Sequence, residues 1–474
     1  MKHRNLGLFG GPILAALTWG MSRTWGLPED MALVLCAAAW MLVWWILEAV
    51  PLGVASLLPL VLFPTLGVTG VVEAAAPYGS KYVFLFMGGF LIAIALERWD
   101  LHKRFALNVL VAAGGNPRRL LGGFMVATAA LSMWISNTAT TLMMLPIAMS
   151  VLSNLDLKRH PKLPVALLLG TAYAANVGGI ATLVGTPPNV AMAGLLEEHT
   201  SKSVPFLEWS LMAFPFSVLL LVLVYLLLTR VLCPVAGTSL TSGVDGLKDE
   251  LDGLGAWSPA EKRVAVVFAA TAMLWMGRRF IVAHWDVPLN DTSIAMMGGL
   301  LLFVLSAGGM QQGQMLLTWH DTKRLPWDIL LLFGGGLTLA KQLADANVLG
   351  AIADAVSELP HMSPSLLIAG FVVMSLFLTE VMSNLALTVV MVPVVAQVAL
   401  NWEMDPLLLV VPVTMASSCA FMLPMATPPN AIVFGSGRLS MSAMVKVGLV
   451  LNVVAALLTW LWAIWVLPHW MQLF

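Results

Sequence analysis

Two stretches of this chain set small polar side chains deep inside apolar runs. Ser132-Met133-Trp134-Ile135-Ser136-Asn137-Thr138-Ala139-Thr140-Thr141 lies within an otherwise apolar run from Leu120 to Leu152. Thr379-Glu380-Val381-Met382-Ser383-Asn384-Leu385-Ala386-Leu387-Thr388 repeats its spacing, with a hydroxyl four residues ahead of a Ser-Asn pair. Moving an unpaired amide or hydroxyl into hydrocarbon costs about 1–7 kcal/mol, depending on the reference state. Such groups therefore need partners, either one another or a ligand. Both runs, about 120–153 and 364–400, exceed the roughly 20 residues that one bilayer crossing takes. The pattern predicts two re-entrant hairpins, each with two half-helices meeting at a non-helical tip buried in protein.

Composition places that reading in a membrane. Hydrophobic residues make up 59% of the 474 and charged residues 10%, with a mean hydropathy of +0.89, whereas soluble domains carry about 25% charged residues. The expected class is an all-α polytopic membrane protein. Apolar runs at roughly 6–22, 31–48, 52–70, 81–97, 164–195, 207–230, 263–283, 290–307, 326–345, 405–436 and 444–467 predict eleven crossings besides the hairpins. The basic Met1–Asn5 stretch followed by Leu6–Met21 reads as a retained first span, since no small-residue cleavage site clearly follows it. A net charge of −1 without a long basic run argues against a nucleic-acid partner. Cys36, Cys233 and Cys419 show no metal-ligand spacing and read as packing residues.

Lys and Arg collect on the cytoplasmic side of membrane proteins. With Lys2 and Arg4 inside, Arg98, Lys103, Arg104, Arg118, Arg119, Lys158, Arg159, Lys162, Arg230, Lys248, Lys262, Arg263, Lys323, Arg324, Arg438 and Lys446 all fall inside. Asp345–Glu358 and the tail Pro468–Phe474 fall outside, so the N-terminus is expected inside and the C-terminus outside. Arg278 and Arg279 break the pattern, and lipid headgroup contact is the role the sequence suggests for them. The segment from Arg98 to Arg119 reads as an amphipathic helix on the cytoplasmic surface.

The polar stretch 234–262 is a cytoplasmic linker, and the flanking regions match. Phe86-Met87-Gly88-Gly89-Phe90 pairs with Phe333-Gly334-Gly335-Gly336-Leu337, Ser136-Asn137 with Ser383-Asn384, and Thr186-Pro187-Pro188-Asn189 with Thr427-Pro428-Pro429-Asn430. The expected organisation is a first span within 1–30, a first repeat over 31–233, the linker, and a second repeat over 263–474. An odd number of spans separates matching elements, so the halves insert in opposite senses. Inverted repeats with broken helices at the midplane are the mark of a secondary transporter.

The prolines of each Thr-Pro-Pro-Asn element predict a helix break within 164–195 and 405–436. Gly178, Gly179 and Gly185, and in the second half Ala416, Ser417 and Ser418, allow close backbone approach. A break frees carbonyl oxygens for a small hard cation such as Na⁺ and aims a helix N-terminus at an anion. One cation site is expected from Ser132, Ser136, Asn137 and the Gly185 carbonyl, the other from Thr379, Ser383, Asn384 and the Ala426 carbonyl. Between them Asn137, Thr138, Asn384 and Thr186 or Thr427 offer neutral donors to an anion. No Lys or Arg falls among these residues, so bound cations would supply the countercharge. Glu48, Glu97 and Glu380 are weaker relay candidates, better read as helix-end or interfacial carboxylates, and His102 and His160 sit in basic stretches and need no further role. No His-Glu-x-x-His or paired-Asp motif supports an intramembrane enzyme, and two cation cups around one anion argue for occlusion, against a passive channel.

Phe84-Leu85-Phe86-Met87-Gly88-Gly89-Phe90, Ser136-Asn137-Thr138, Gly185-Thr186-Pro187-Pro188-Asn189 and Ala426-Thr427-Pro428-Pro429-Asn430 together resemble the divalent anion/sodium symporter family, which includes bacterial dicarboxylate transporters of the INDY type. The resemblance runs from about Trp40 to Gly437. It implies a homodimer with eleven spans and two re-entrant hairpins in a bacterial inner membrane, moving succinate, malate, fumarate, citrate or sulfate, usually with Na⁺ and no organic cofactor, by an elevator motion. It also implies that the Ser-Asn motifs with their upstream hydroxyls bind Na⁺ and, with the Thr-Pro-Pro-Asn elements through Pro428, the dicarboxylate. One position departs from the pattern. Many C4-dicarboxylate carriers have Ser-Asn-Thr in both halves, and the second motif here ends in Leu385, which removes one hydroxyl and admits exchange of dicarboxylates or citrate, or sulfate transport, as alternatives.

Overall fold

The computed structural model describes residues 2–153, 161–235, 241–309, 313–357 and 362–472. Lys158, Arg159, His160, part of the linker, Glu358 and the last two residues of the tail lie outside them. Among the described residues the regular structure is helical, apart from one isolated bridge between Ser306 and Met315. Among the described residues seven helices are long and apolar enough to cross a membrane, and a bent pair raises that to eight. The protein is an integral membrane protein.

Several expected crossings take another form. The run 52–70 is not one helix: Leu52–Ala55 and Leu58–Thr65 are separate short helices, followed by Val71–Ala75 and the 3-10 turn Ala76–Gly79. Pro51, Pro59 and Pro64 each withhold an N–H, and Gly67 turns the chain at φ +75°. The run 290–307 holds only the 14-residue helix Asp291–Val304. Trp327–Asp345 continues into Val348–Ser357 after a 68° bend, with Asn347 at φ +55° between them.

Two groups of helices can be separated. In the first, which we call the frame, Lys81–Arg98 packs along Asp291–Val304 and against Pro259–Trp285, and Trp327–Asp345 packs on Glu29–Ile46, Leu52–Ala55 and Leu58–Thr65. Gly88 permits the first of these contacts, because a Cβ there would stand 2.5 Å from the Ala295 carbonyl carbon. The second group carries both polar motifs. Pro117–Ser132 and Asn137–Ser153 form one hairpin, and Pro364–Leu378 and Asn384–Asn401 the other. Beside them Leu163–Ile180 is followed by Pro187–Thr200, and Leu407–Ser417 by Pro428–Gly435.

The second helix of each broken pair packs on the hairpin of the opposite half. Pro187–Thr200 runs along Asn384–Asn401, and Pro428–Gly435 along Asn137–Ser153. The halves are thereby interlocked around their polar tips.

Two charged regions differ from expectation. The basic stretch after Arg98 is a helix, Leu101–Ala113, that leaves Phe105, Asn108 and Ala112 exposed and packs its other side against Pro117–Ser132 and against Thr241–Gly253 of the linker, contacts the sequence did not foretell. Its Arg104 is buried, with Nε 2.7 Å from Glu261 Oε1 and Nη1 2.9 Å from the Gly255 carbonyl, as a buried guanidinium requires. At the other end of Pro259–Trp285, Arg278 reaches Asp291 Oδ1 at 3.3 Å, so it has a protein partner in place of the headgroup role.

Candidate substrate and cation site

Each hairpin tip is closed by the same local bond. Ser132 Oγ donates to Asn137 Oδ1 at 2.7 Å, and Thr379 Oγ1 donates to Asn384 Oδ1 at 2.6 Å. In the following turn Thr141 Oγ1 donates to the Asn137 carbonyl and Thr388 Oγ1 to the Asn384 carbonyl, both at 2.8 Å. The upstream hydroxyl thus satisfies the amide oxygen that opens each second half-helix, and this is the physical reason for the four-residue spacing to the Ser-Asn pair.

The broken helices are held by the last residue of each Thr-Pro-Pro-Asn element. Asn189 Nδ2 donates back to the Gly179 carbonyl at 3.0 Å and the Thr182 carbonyl at 2.8 Å, and Asn430 Nδ2 donates to those of Ala420 and Leu423, both at 3.1 Å. Both side chains are fully buried. They clamp the unwound segment that a helix would otherwise have satisfied. Sequence reasoning treated these asparagines only as part of a pattern; the signal was there, because an amide following a proline break can satisfy orphaned carbonyls.

Four helices begin at one cavity of about 860 Å³: Asn137, Pro187, Asn384 and Pro428, the first residues of their helices, all line it. Each helix N-terminus carries about half a positive charge. Of the residues expected from sequence, Ser136, Asn137, Thr138, Thr186, Ser383, Asn384, Leu385, Ala426, Thr427 and Pro428 line this cavity. Ser132, Gly185 and Thr379 lie behind it, all buried. Gly185 packs so tightly that a Cβ on it would come 2.6 Å from the Gly179 carbonyl oxygen and 3.1 Å from that of Met133. Hydroxyl, amide and carbonyl oxygens are the ligands a hard monovalent cation takes.

Asn176, absent from the expected set, joins the halves. Its Nδ2 donates to Thr427 Oγ1 at 3.2 Å and to the Ala420 carbonyl at 3.4 Å, and it also lines the cavity. A lone Asn in an apolar helix gave no spacing signal.

The opposite wall belongs to the frame and includes Phe90, Ile94, Glu97, Arg324 and Ile329. Arg324 is a basic residue on a cavity whose predicted ligands include none. Its charge is balanced by an ion pair to Glu97, which assigns Glu97 an interfacial role. Arg324 ends the 3-10 turn Trp319–Arg324 and is brought to the site only by tertiary packing.

The family profile described as "Sodium:sulfate symporter transmembrane region" matches residues 6–474. The chain belongs to this family of transporters. Among its relatives, the "Sodium-dependent dicarboxylate transporter SdcS" of Staphylococcus saprophyticus is 36% identical over 460 residues, covering 95% of this chain and 89% of that one. The protein of the same name from Staphylococcus aureus is 36% identical over 473 residues, covering 98% and 91%. Two solved structures share the symporter's fold at low identity. The YdaH transporter of Alcanivorax borkumensis aligns with a TM-score of 0.58 at 16% identity, covering 84% of this chain and 86% of its own. MtrF of Neisseria gonorrhoeae gives 0.60 at 14%, covering 84% and 85%.

Proposed function

We propose that this protein couples the movement of a dicarboxylate such as succinate, malate or fumarate to that of Na⁺. The observation that carries this reading is the convergence of four helix N-termini on one cavity whose motif-bearing wall has no basic side chain. Dipoles and neutral donors suffice to orient an anion there, but a divalent one needs further countercharge. Two oxygen-rich cups behind the cavity, around Ser132 with Asn137 and around Thr379 with Asn384, supply it when each holds Na⁺. The anion then binds well only after the cations, which is coupling. The names of the relatives, sodium-dependent dicarboxylate transporters, agree with that substrate and that ion.

The mirrored contacts support two oppositely inserted repeats over 31–233 and 263–474. The division into frame and motif-bearing helices supports an elevator, in which the interlocked group carries the site past the frame of a homodimer. We place the protein in a bacterial inner membrane, N-terminus inside and C-terminus outside.

Uptake of labelled succinate into proteoliposomes should rise under an inward Na⁺ gradient and stay at background with K⁺. Uptake indifferent to Na⁺ would remove the coupling.

Leu385 favours a second reading, sulfate transport or dicarboxylate exchange. It lines the cavity where its counterpart Thr138 offers a hydroxyl. A competition panel of succinate, citrate, glutamate and sulfate, with and without Na⁺, separates the two. Leu385→Thr should tighten succinate binding about fivefold, the worth of one neutral hydrogen bond at about 1 kcal/mol. An unchanged or weaker apparent affinity would mean that no carboxylate reaches this position.

A further inference from the structure

The two hairpin tips share the bonds to Asn137 and Asn384 described above, but only one of them carries a carboxylate. The second tip carries Glu380 where the first carries Met133. Glu380 is only 3% exposed, and its carboxyl faces the unwound segment between Leu407–Ser417 and Pro428–Gly435. The N–H groups of Phe421 and Met422 both donate to Oε1 at 2.9 Å, and that of Leu423 donates to Oε2 at 2.9 Å. Asn452, from the helix Met441–Leu461, donates to Oε1 at 2.7 Å and accepts from the Phe421 N–H at 3.2 Å. Gly448, one turn earlier on that helix, lets it come this close, since a Cβ there would overlap the Phe421 carbonyl oxygen. The first half holds its equivalent segment with neutral groups alone: the Met133 carbonyl accepts from Thr182 Oγ1 at 2.5 Å, and the Ile180 carbonyl from Trp209 Nε1 at 2.9 Å.

Two consequences bear on the second cation cup. Glu380 follows Thr379, whose hydroxyl lies 2.6 Å from Asn384 Oδ1 and 2.7 Å from the Ser417 carbonyl and shares its one proton between them, so the carboxyl and that cup share one turn of backbone. It also turns three successive N–H groups of the 421–423 segment toward itself. This fixes the peptide planes leading to Ala426, whose own N–H bonds the Leu423 carbonyl. The second is electrostatic: four donors and no basic side chain surround the carboxyl among the described residues. Its charge is therefore spread over dipoles and left uncancelled by a salt bridge, and it attracts a cation bound nearby in a low-dielectric interior.

We propose that Glu380 is a positioning residue that makes the cation site of the second half the tighter of the two, so that this site fills first. The inference rests on the Na⁺-coupled reading above and adds to it an order of binding and the residue that sets it. In the second half a carboxylate preorders the segment and contributes a full charge. The first half, with Met133, has neither.

Glu380→Gln in the full-length protein tests this through two readouts. One is thermal stability of the purified protein in detergent as NaCl replaces KCl at constant ionic strength. The other is succinate uptake into proteoliposomes against Na⁺ concentration. The variant should need about tenfold more Na⁺ for half-saturation in both assays while its uptake at saturating Na⁺ stays close to wild type. A folded variant with the wild-type Na⁺ dependence overturns the proposal. So does one that loses maximal uptake with unchanged half-saturation, which is the behaviour of a purely structural residue. If Glu380→Gln cannot be recovered folded, Asn452→Ala, which keeps the carboxylate and removes one donor, decides the matter: a rise of about threefold in half-saturating Na⁺ supports the proposal and a wild-type curve overturns it. A wild-type protein indifferent to Na⁺ in both assays overturns the coupling reading and this inference with it, whereas a Na⁺-responsive wild type with an unaffected variant overturns this inference alone.

Discussion

Asn137→Ala and Asn384→Ala should each lower Na⁺-driven succinate uptake by about 100-fold or more, while the purified variants remain folded in detergent. Each amide opens a half-helix at the cavity and accepts a hydroxyl bond from behind it, at 2.7 Å from Ser132 and 2.6 Å from Thr379. Truncation removes a candidate ligand to the cation and a donor to the anion together. A hydrogen bond to a charged group contributes about 1.5–3 kcal/mol, so losing one to each ion multiplies to two orders of magnitude or more. The fold survives because the helices on either side keep their packing. Near-normal uptake by either variant would count decisively against the site assignment.

Gly185→Ala should reduce uptake at physiological Na⁺ by tenfold or more, recovered in part at high Na⁺. The added Cβ would meet two backbone oxygens, of Gly179 at 2.6 Å and of Met133 at 3.1 Å, and neither can rotate away as a side chain would. Relief requires the unwound segment to move by several tenths of an ångström. That disturbs the first cation cup, whose ligands work only at fixed distances. The counterpart in the second half is already Ala426, so the demand for glycine is specific to the first cup. A Gly185→Ala variant with the wild-type Na⁺ response would show that the Gly185 carbonyl takes no part in binding the cation.

Much of this site is legible in the residue string because bilayer chemistry makes buried polar groups costly. The Ser-Asn tips and Thr-Pro-Pro-Asn breaks stand out against apolar flanks, and their repetition ties Ser136 to Ser383 before any coordinates, with both found on one cavity wall. What stays hidden is whatever depends on tertiary approach. Arg324 and Glu97 lie 227 residues apart and give no local sign of facing the same cavity. Asn176 reaches Thr427 across 251 residues. The run 52–70 is apolar enough to pass for a span, and only Pro59 and Pro64 within it and Pro51 just before it hint that it folds as two short helices. Glu380 is visible as a carboxylate at a hairpin tip, but its bonds to the N–H groups of Phe421, Met422 and Leu423 require the second broken helix to be in place.

The exchange of helices between the halves also bears on how the chain is made. Pro187–Thr200 leaves the ribosome roughly two hundred residues before Asn384–Asn401, the surface it finally covers. Until then its apolar flank must be sheltered by lipid or by the insertion machinery, since contacts this distant in sequence form late and slowly. Biogenesis of the transport site is thus deferred to the closing stage of translation, and a nascent chain stalled before Asn384 would hold every residue of the first cup while Asn384–Asn401 and Pro428–Gly435, which pack on the first half, are still unmade.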